Sequence, residues 1–405
     1  MRASTTSPVR AATAGQRGFS LIELMVGVVI GLLAVLVITQ VTTLAEGRKR
    51  TVSMGSDAQV NGALALFALQ RDIVQSGYGV ASIPGALGCP TKYAGSAASG
   101  TFTLAPVVIT DGGANDVSDQ ITVLQANLPN FSVPMGLTEN TSNPPTTATP
   151  FKVMSSLGAA AGNLMVLVPM TNNATGSALA PSWKMDGTVS CSVFDVTNDT
   201  SSATTTLTSL QIPHTSGSGA AGWNQNSVFP AITVEGDPVI MKSFVLNMGS
   251  MLLRTYSVSA TGNLQSTDVS MTDGSTPAAV DLYPQIVMMR ALYGKATGAD
   301  KNQINAYDKT APASNAEWQQ VKSIRVAVVA RSNQYEKETV TLNAPVWDVG
   351  NNIAVTGASS TLAGCNSASA CLKLDVSTLV GADWKHYRYK VYDTIVPLRN
   401  VLWHS

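Results

Sequence analysis

The chain has 405 residues, of which 45% are apolar and only 12% charged, about half the usual charged share. Its 25 basic residues balance 25 acidic ones, so the formal net charge is zero. That balance excludes nucleic acid as the main partner, because a phosphate-binding surface needs clustered Lys and Arg. The length allows one large or two ordinary domains. Ser, Thr, Asn, Gly and Ala take the place of the missing charges, a composition suited to a β-rich exported body with polar loops.

Residues 1–18 carry Arg2, Arg10 and Arg17 and no acid, and read as a leader. From Phe19 to Val41 the chain is nearly all apolar, with no polar side chain between Leu24 and Ile38. A helix of that length crosses the ~30 Å of bilayer hydrocarbon. Arg48, Lys49 and Arg50 follow the span, so basic residues flank it on both sides and its orientation is not readable from charge alone. A secretory signal would have a shorter apolar run and a small-residue cleavage site after it. A plain anchor explains the length but not Glu23, since a carboxylate at that depth costs about 2.5–3.5 kcal/mol unless it finds a partner. Gly27 and Gly31 form a GxxxG, which either lets helices approach closely or reflects the ordinary frequency of Gly in membrane helices.

The run Gly18-Phe19-Ser20-Leu21-Ile22-Glu23-Leu24-Met25-Val26 resembles the class III signal of type IV prepilins and pseudopilins. Ser20 stands where that family usually has Thr, and Gln40 near where major pilins often have proline. The resemblance implies that a prepilin peptidase cuts after Gly18 at the inner membrane and N-methylates Phe19. It also implies that Glu23, without a partner in its own chain, pairs during assembly with the terminal amine of a neighbouring subunit.

Past the span, residues 42–79 read as a continuation of the helix. Val60, Leu64, Phe67 and Val74 recur at helical spacing, and Ala63, Leu66 and Ile73 widen the stripe expected to pack on a sheet. Gly77 and Gly79 stop it. From Val80 to the end, short apolar runs predict a β-rich body. The candidate strands are Phe102–Ile109, Gln120–Gln125, Asn163–Pro169, Thr188–Val196, Val239–Leu246 and Met251–Val258. Polar stretches at 139–150, 171–181 and 198–222 read as long surface loops. Asp111 to Asp119 has oxygen-rich calcium-loop composition without EF-hand spacing, and reads better as an Asp/Gly turn entering the next strand. A division into two lobes is expected near 270–278.

Cys89, Cys191, Cys365 and Cys371 contain no CxxC, and only His214, His386 and His404 could join them, so no metal site is expected. In an exported body, Cys365 and Cys371 enclose a short flexible loop and are disulfide candidates, which leaves Cys89 to Cys191. Free buried thiols are the alternative.

Further on, Ile324–Ala330 is a continuous β-branched run, hence a central strand, with Trp318 before it as a core aromatic or an interface anchor. Tyr387–Tyr392 alternates as a half-exposed strand. Leu292-Tyr293-Gly294, Trp318, Ile324 to Ser332, Tyr387 to Tyr392 and Val396-Pro397-Leu398-Arg399-Asn400, in that order, resemble the PilW family of type IV pilus assembly proteins. The run from Leu69 to Gly79 and the entry Ser118-Asp119-Gln120 fit it too, whereas 127–235 resembles nothing identifiable. The resemblance implies an α+β pilin-like fold, a long helix on an antiparallel sheet. It implies a minor pilin that primes pilus assembly near the tip, with other minor pilins, the major pilin and a tip adhesin as partners. No GxSxG, HExxH or P-loop occurs, so neither an enzyme nor a cofactor is expected. A type II secretion pseudopilin and a membrane-tethered adhesin or enzyme are the rival readings.

Overall fold

The computed structural model describes residues 18–81, 83–113, 117–128, 133–139, 145–172, 179–216, 223–224, 229–230, 243–301, 303–351 and 353–402. The leader up to Arg17 lies outside them. Met1–Met54 forms one compact unit and Gly55–Ser405 another. One helix, Leu21–Gln75, supplies the described part of the first unit and opens the second.

The fold is α+β, and its strands build three main sheets. The first has eight strands in the order Gln211–Ile212, Phe151–Val153, Met135–Glu139, Phe244–Gly249, Leu164–Val168, Cys191–Asp195, Cys89–Ala94 and Ser99–Leu104. The second runs Val280–Pro284, Asn263–Asp268, Leu252–Val258, Gln120–Gln125 and Val107–Thr110. The third runs Ala354–Val355, Ala306–Asp308, Ile286–Lys295, Val321–Arg331 and Tyr389–Pro397. Pairing is antiparallel except where Cys89–Ala94 meets Cys191–Asp195 and Ala306–Asp308 meets Ala354–Val355. The run Ile324–Ala330 is an interior strand, flanked by Ile286–Lys295 and Tyr389–Pro397, as its unbroken apolar sequence demands.

Several expectations change in detail. Phe102–Ile109 is two strands in two different sheets, because Pro106 has no N–H to offer a ladder and the chain turns there. Of Val239–Leu246, residues 239–242 lie outside the described ones, and a strand runs from Phe244 to Gly249. Residues 270–278 do not divide two lobes. They connect Asn263–Asp268 to Val280–Pro284, which pair with each other inside the second sheet. The polar stretches are also less loop-like than their composition suggests. Met170–Asn172 pairs with Leu179–Pro181, and Gln211–Ile212 joins the first sheet. There Ile212 and His214 close a cluster with Phe151, Phe194 and Phe229, His214 stacking on Phe151 at 4.1 Å between centroids. Residues 140–144, 173–178 and 217–222 of those stretches lie outside the described residues.

Of the expected stripe only Ile73 is fully buried, and the face that the helix buries is centred elsewhere. Ala58, Gly62, Ala65, Leu69 and Ile73 are buried, while Val60, Ala63, Leu64 and Phe67 face outward, Phe67 63% exposed. Leu66 and Val74 are half-buried. Both faces are apolar at helical spacing, so periodicity alone does not choose between them. The choice follows shape: small residues bring the backbone down onto the third sheet, where a Cβ at Gly62 would collide with the Tyr392 ring. Trp318 is a core aromatic, packed edge-on against Tyr293 at 5.8 Å and 87°.

Two disulfides close the body. Cys89–Cys191 links the two parallel neighbours of the first sheet across 102 residues, and Cys365–Cys371 closes a six-residue separation. The longer loop restricts the unfolded chain by about 4–5 kcal/mol and the shorter by about 2 kcal/mol in the loop-entropy picture.

Candidate processing and assembly site

Gly18, Phe19 and Ser20 precede the first helical turn and are all exposed, with Phe19 at 87%. The Ser20 hydroxyl accepts the Ile22 N–H at 3.3 Å, and the Glu23 carboxylate accepts the Ser20 N–H at 3.2 Å. The Ser20 carbonyl accepts the first helical bond, from Leu24 N–H at 3.1 Å. This is a capping box, in which Ser and the Glu three positions on satisfy helix-end donors reciprocally. The expectation that Glu23 lacks a partner in its own chain is therefore corrected. Its carboxylate also sits at the positive end of the helix dipole. No cation meets it among the described residues. The signal was legible as Ser-x-x-Glu ahead of an apolar run; Ser20 was read only as a substitute for Thr.

Behind the cap, Leu21–Gly47 is long and apolar enough to cross a membrane, and every side chain in it is exposed. Its threonines are satisfied within the helix. Thr39, Thr42 and Thr43 donate their hydroxyls to the carbonyls of Leu36, Ile38 and Gln40 at 2.9 Å each. Gly27 and Gly31 have open space where a Cβ would stand.

At its other end the helix is gripped by the body. Asp72, 4% exposed, accepts the Tyr256 hydroxyl at 2.6 Å and Arg254 at 3.0 Å. Arg254 also clasps Asp268 with two bonds of 2.7 Å. The bonds to Asp268 raise the Arg254 guanidinium above its ordinary range, and burial followed by the Asp72 bond raises the Tyr256 phenol. Gly77, at φ 77°, ends the helix, and its N–H reaches the Leu124 carbonyl at 2.9 Å. The Asn400 amide donates to the Ser76 carbonyl at 2.8 Å, satisfying an end group left open by the last turn.

The scattered motifs of the sequence meet in the seam between the second and third sheets. Asp119 accepts Arg290 at 2.7 Å, the Ala291 N–H at 2.9 Å and the Gly112 N–H at 3.0 Å. Burial pushes its carboxyl up while Arg290 pulls it back. Tyr293 accepts the Ile109 N–H at 2.6 Å. Asp111 is engaged by Lys309 at 2.7 Å, so Asp111 and Asp119, at the two ends of that segment, both take cations from the region of the third sheet.

Residues 254–400 match the family model described as Type IV Pilus-assembly protein W, and residues 13–39 match the prokaryotic N-terminal methylation motif. The chain is a PilW-like type IV pilus protein. The PilW match opens at Arg254 and closes at Asn400, the two residues that hold the helix end through Asp72 and Ser76. No curated protein matches the chain. Among solved structures, a type IV-like pilin from Thermus thermophilus matches 85% of this chain and 96% of its own length, at 13% identity and a TM-score of 0.29. A likeness that distant carries no argument here. Within this PilW-like chain, the methylation motif covers Gly18, Phe19, Ser20 and Glu23, the residues of the helix cap.

Proposed function

We propose that this protein is a minor pilin that is cut between Gly18 and Phe19, methylated on Phe19, and inserted with other minor pilins at or near the pilus tip to prime assembly. The carrying observation is the exposed, capped start of a long apolar helix within a methylation-motif match. Its mechanism is association rather than chemistry. Leu21–Gly47 holds the chain in the inner membrane until extraction, and the body stands on the periplasmic side. The major pilin's helices then replace lipid around the apolar surface, and the Phe19 amine of a neighbouring subunit meets Glu23. The outward row Val60, Leu64 and Phe67 extends that association surface beyond the membrane segment. The body offers its surface to the partners at the tip, among them an adhesin.

The test combines processing with phenotype. Mass spectrometry of sheared pili is expected to find an N-methyl-Phe19 peptide at a small fraction of the major pilin. Deleting the gene is expected to abolish surface pili and leave enzyme secretion intact. An uncut leader in cells with an active prepilin peptidase, or normal piliation with lost secretion, would sink this reading.

A further inference from the structure

Lys322 is the least expected residue of the third sheet: a lysine inside an interior strand, only 5% exposed. Its position has a local cause. Gly294 pairs with Ser323 and Lys295 pairs with Val321, so Lys322 is the unmatched residue of a β-bulge. A bulge breaks the in-out alternation and re-aims a side chain. The re-aimed side chain lines a cavity of about 320 Å³, together with Pro84, Leu87, Ala296 and Val401. Lys301 and Gln319 also line it.

Among the described residues, no acceptor or carboxylate reaches the Lys322 ammonium. The contrast with its neighbour across the strands is direct. Lys295, also buried, reaches Asp308 at 2.9 Å and the Thr310 carbonyl at 3.3 Å. Among the described residues, a counter-charge thus stands at Lys295 and none at Lys322. Desolvation holds the Lys322 ammonium below the usual lysine range. The ammonium opens on this cavity, where an incoming anion would meet a charge that no group among the described residues neutralises.

We propose that this cavity is a binding site for a small apolar carboxylate, with the carboxylate on Lys322 and the apolar part against Pro84, Leu87 and Val401. The volume is at the small end of ligand sites, ~300–1,000 Å³, and suits one ring or a short branched chain with an acid group. Lys301, whose ammonium is held by the Gly298 carbonyl at 3.0 Å, lies at the same cavity and adds attraction without making the principal contact.

The probe is 4-fluorobenzoate, followed by fluorine NMR with the full-length protein in detergent micelles. Its uncharged counterpart, 4-fluorobenzamide, reports how much binding the apolar walls and the micelle supply. The acid is expected to bind saturably and about tenfold or more tightly than the amide, the worth of one charge-assisted contact. Lys322→Met keeps the length of the side chain and removes the charge. It is expected to fold with a raised melting temperature and to erase the preference for the acid. Lys301→Ala is expected to weaken acid binding about twofold, a purely long-range effect. Equal binding of acid and amide by the unaltered protein, no saturable binding at millimolar acid, or an unchanged preference in Lys322→Met would each overturn the proposal.

Discussion

The two halves of the long helix are both rich in apolar residues and have opposite fates. In Leu21–Gly47 every side chain is exposed, and apolar character runs all the way round. In 55–75 the small residues Ala58, Gly62 and Ala65 with Leu69 and Ile73 are buried, and large apolar residues face outward. An apolar surface with no counterpart in its own chain needs lipid or another subunit. A surface matched to a sheet needs only its own chain. The difference teaches that helical spacing identifies apolar faces, and that the partner's shape decides which one is consumed in folding.

The comparison can be broken hardest at Asp72. Asp72→Ala leaves Arg254 and Tyr256 without their buried acceptor, and is expected to cost about 3–5 kcal/mol in urea unfolding of the full-length protein. A loss below about 1 kcal/mol would show that Asp268 alone suffices for Arg254. Next comes a matched pair of truncations. Leu69→Ala, at a fully buried position, is expected to cost about 3 kcal/mol. Leu33→Ala, in the exposed half, is expected to leave the body's unfolding curve unchanged.

Acidity acts on the body through Asp195. Asp195 is 2% exposed and its Oδ1 has no partner among the described residues, and burial pushes its pKa up to about 7. The folded protein thus keeps a proton that the unfolded chain releases near 3.8. That stabilisation is complete below 3.8 and is lost as pH rises through about 7. Asp195→Asn removes the loss. It is expected to be more stable than the unaltered protein in mildly alkaline buffer, by on the order of 2 kcal/mol after solvent screening, and equal in acid. His214, buried and lowered to about 4, has the opposite slope: its contribution is present above 6.5 and lost as pH falls toward 4. Both proteins share it, so it cancels from the difference.

At the start of the helix, Ser20→Ala is expected to cost about 1 kcal/mol of first-turn stability, seen as roughly fivefold faster amide exchange over the first helical turn. Unchanged exchange would show that the cap is idle. The smallest folding effect belongs to Phe67→Ala, within about 0.5 kcal/mol because the ring is already exposed. Its consequence is expected outside the chain, as reduced recovery in sheared pili.

The long apolar helix, the methylation motif, the Ser-x-x-Glu of the capping box and the strand Gln120–Gln125 were all legible in the sequence, because each depends on residues close together along the chain. Gly77 and Gly79 marked the helix end for the same reason: a left-handed turn after the last helical residue asks for glycine locally. The cysteine pairs were narrowed by spacing and closed only by the fold. What the sequence alone left open rests on contacts between distant segments. Asp72 with Arg254 and Tyr256, Asn400 with Ser76, and Asp119 with Arg290 each join residues from different parts of the chain. The buried helix face and the bulge that turns Lys322 inward were decided the same way. One was settled by which sheet lies beneath the helix, the other by how two strands fail to stay in register. Local chemistry wrote the apolar helix and the methylation-motif start of this protein. Packing wrote the part that folds against itself, because burial depends on the shape of a partner that no nearby residue describes.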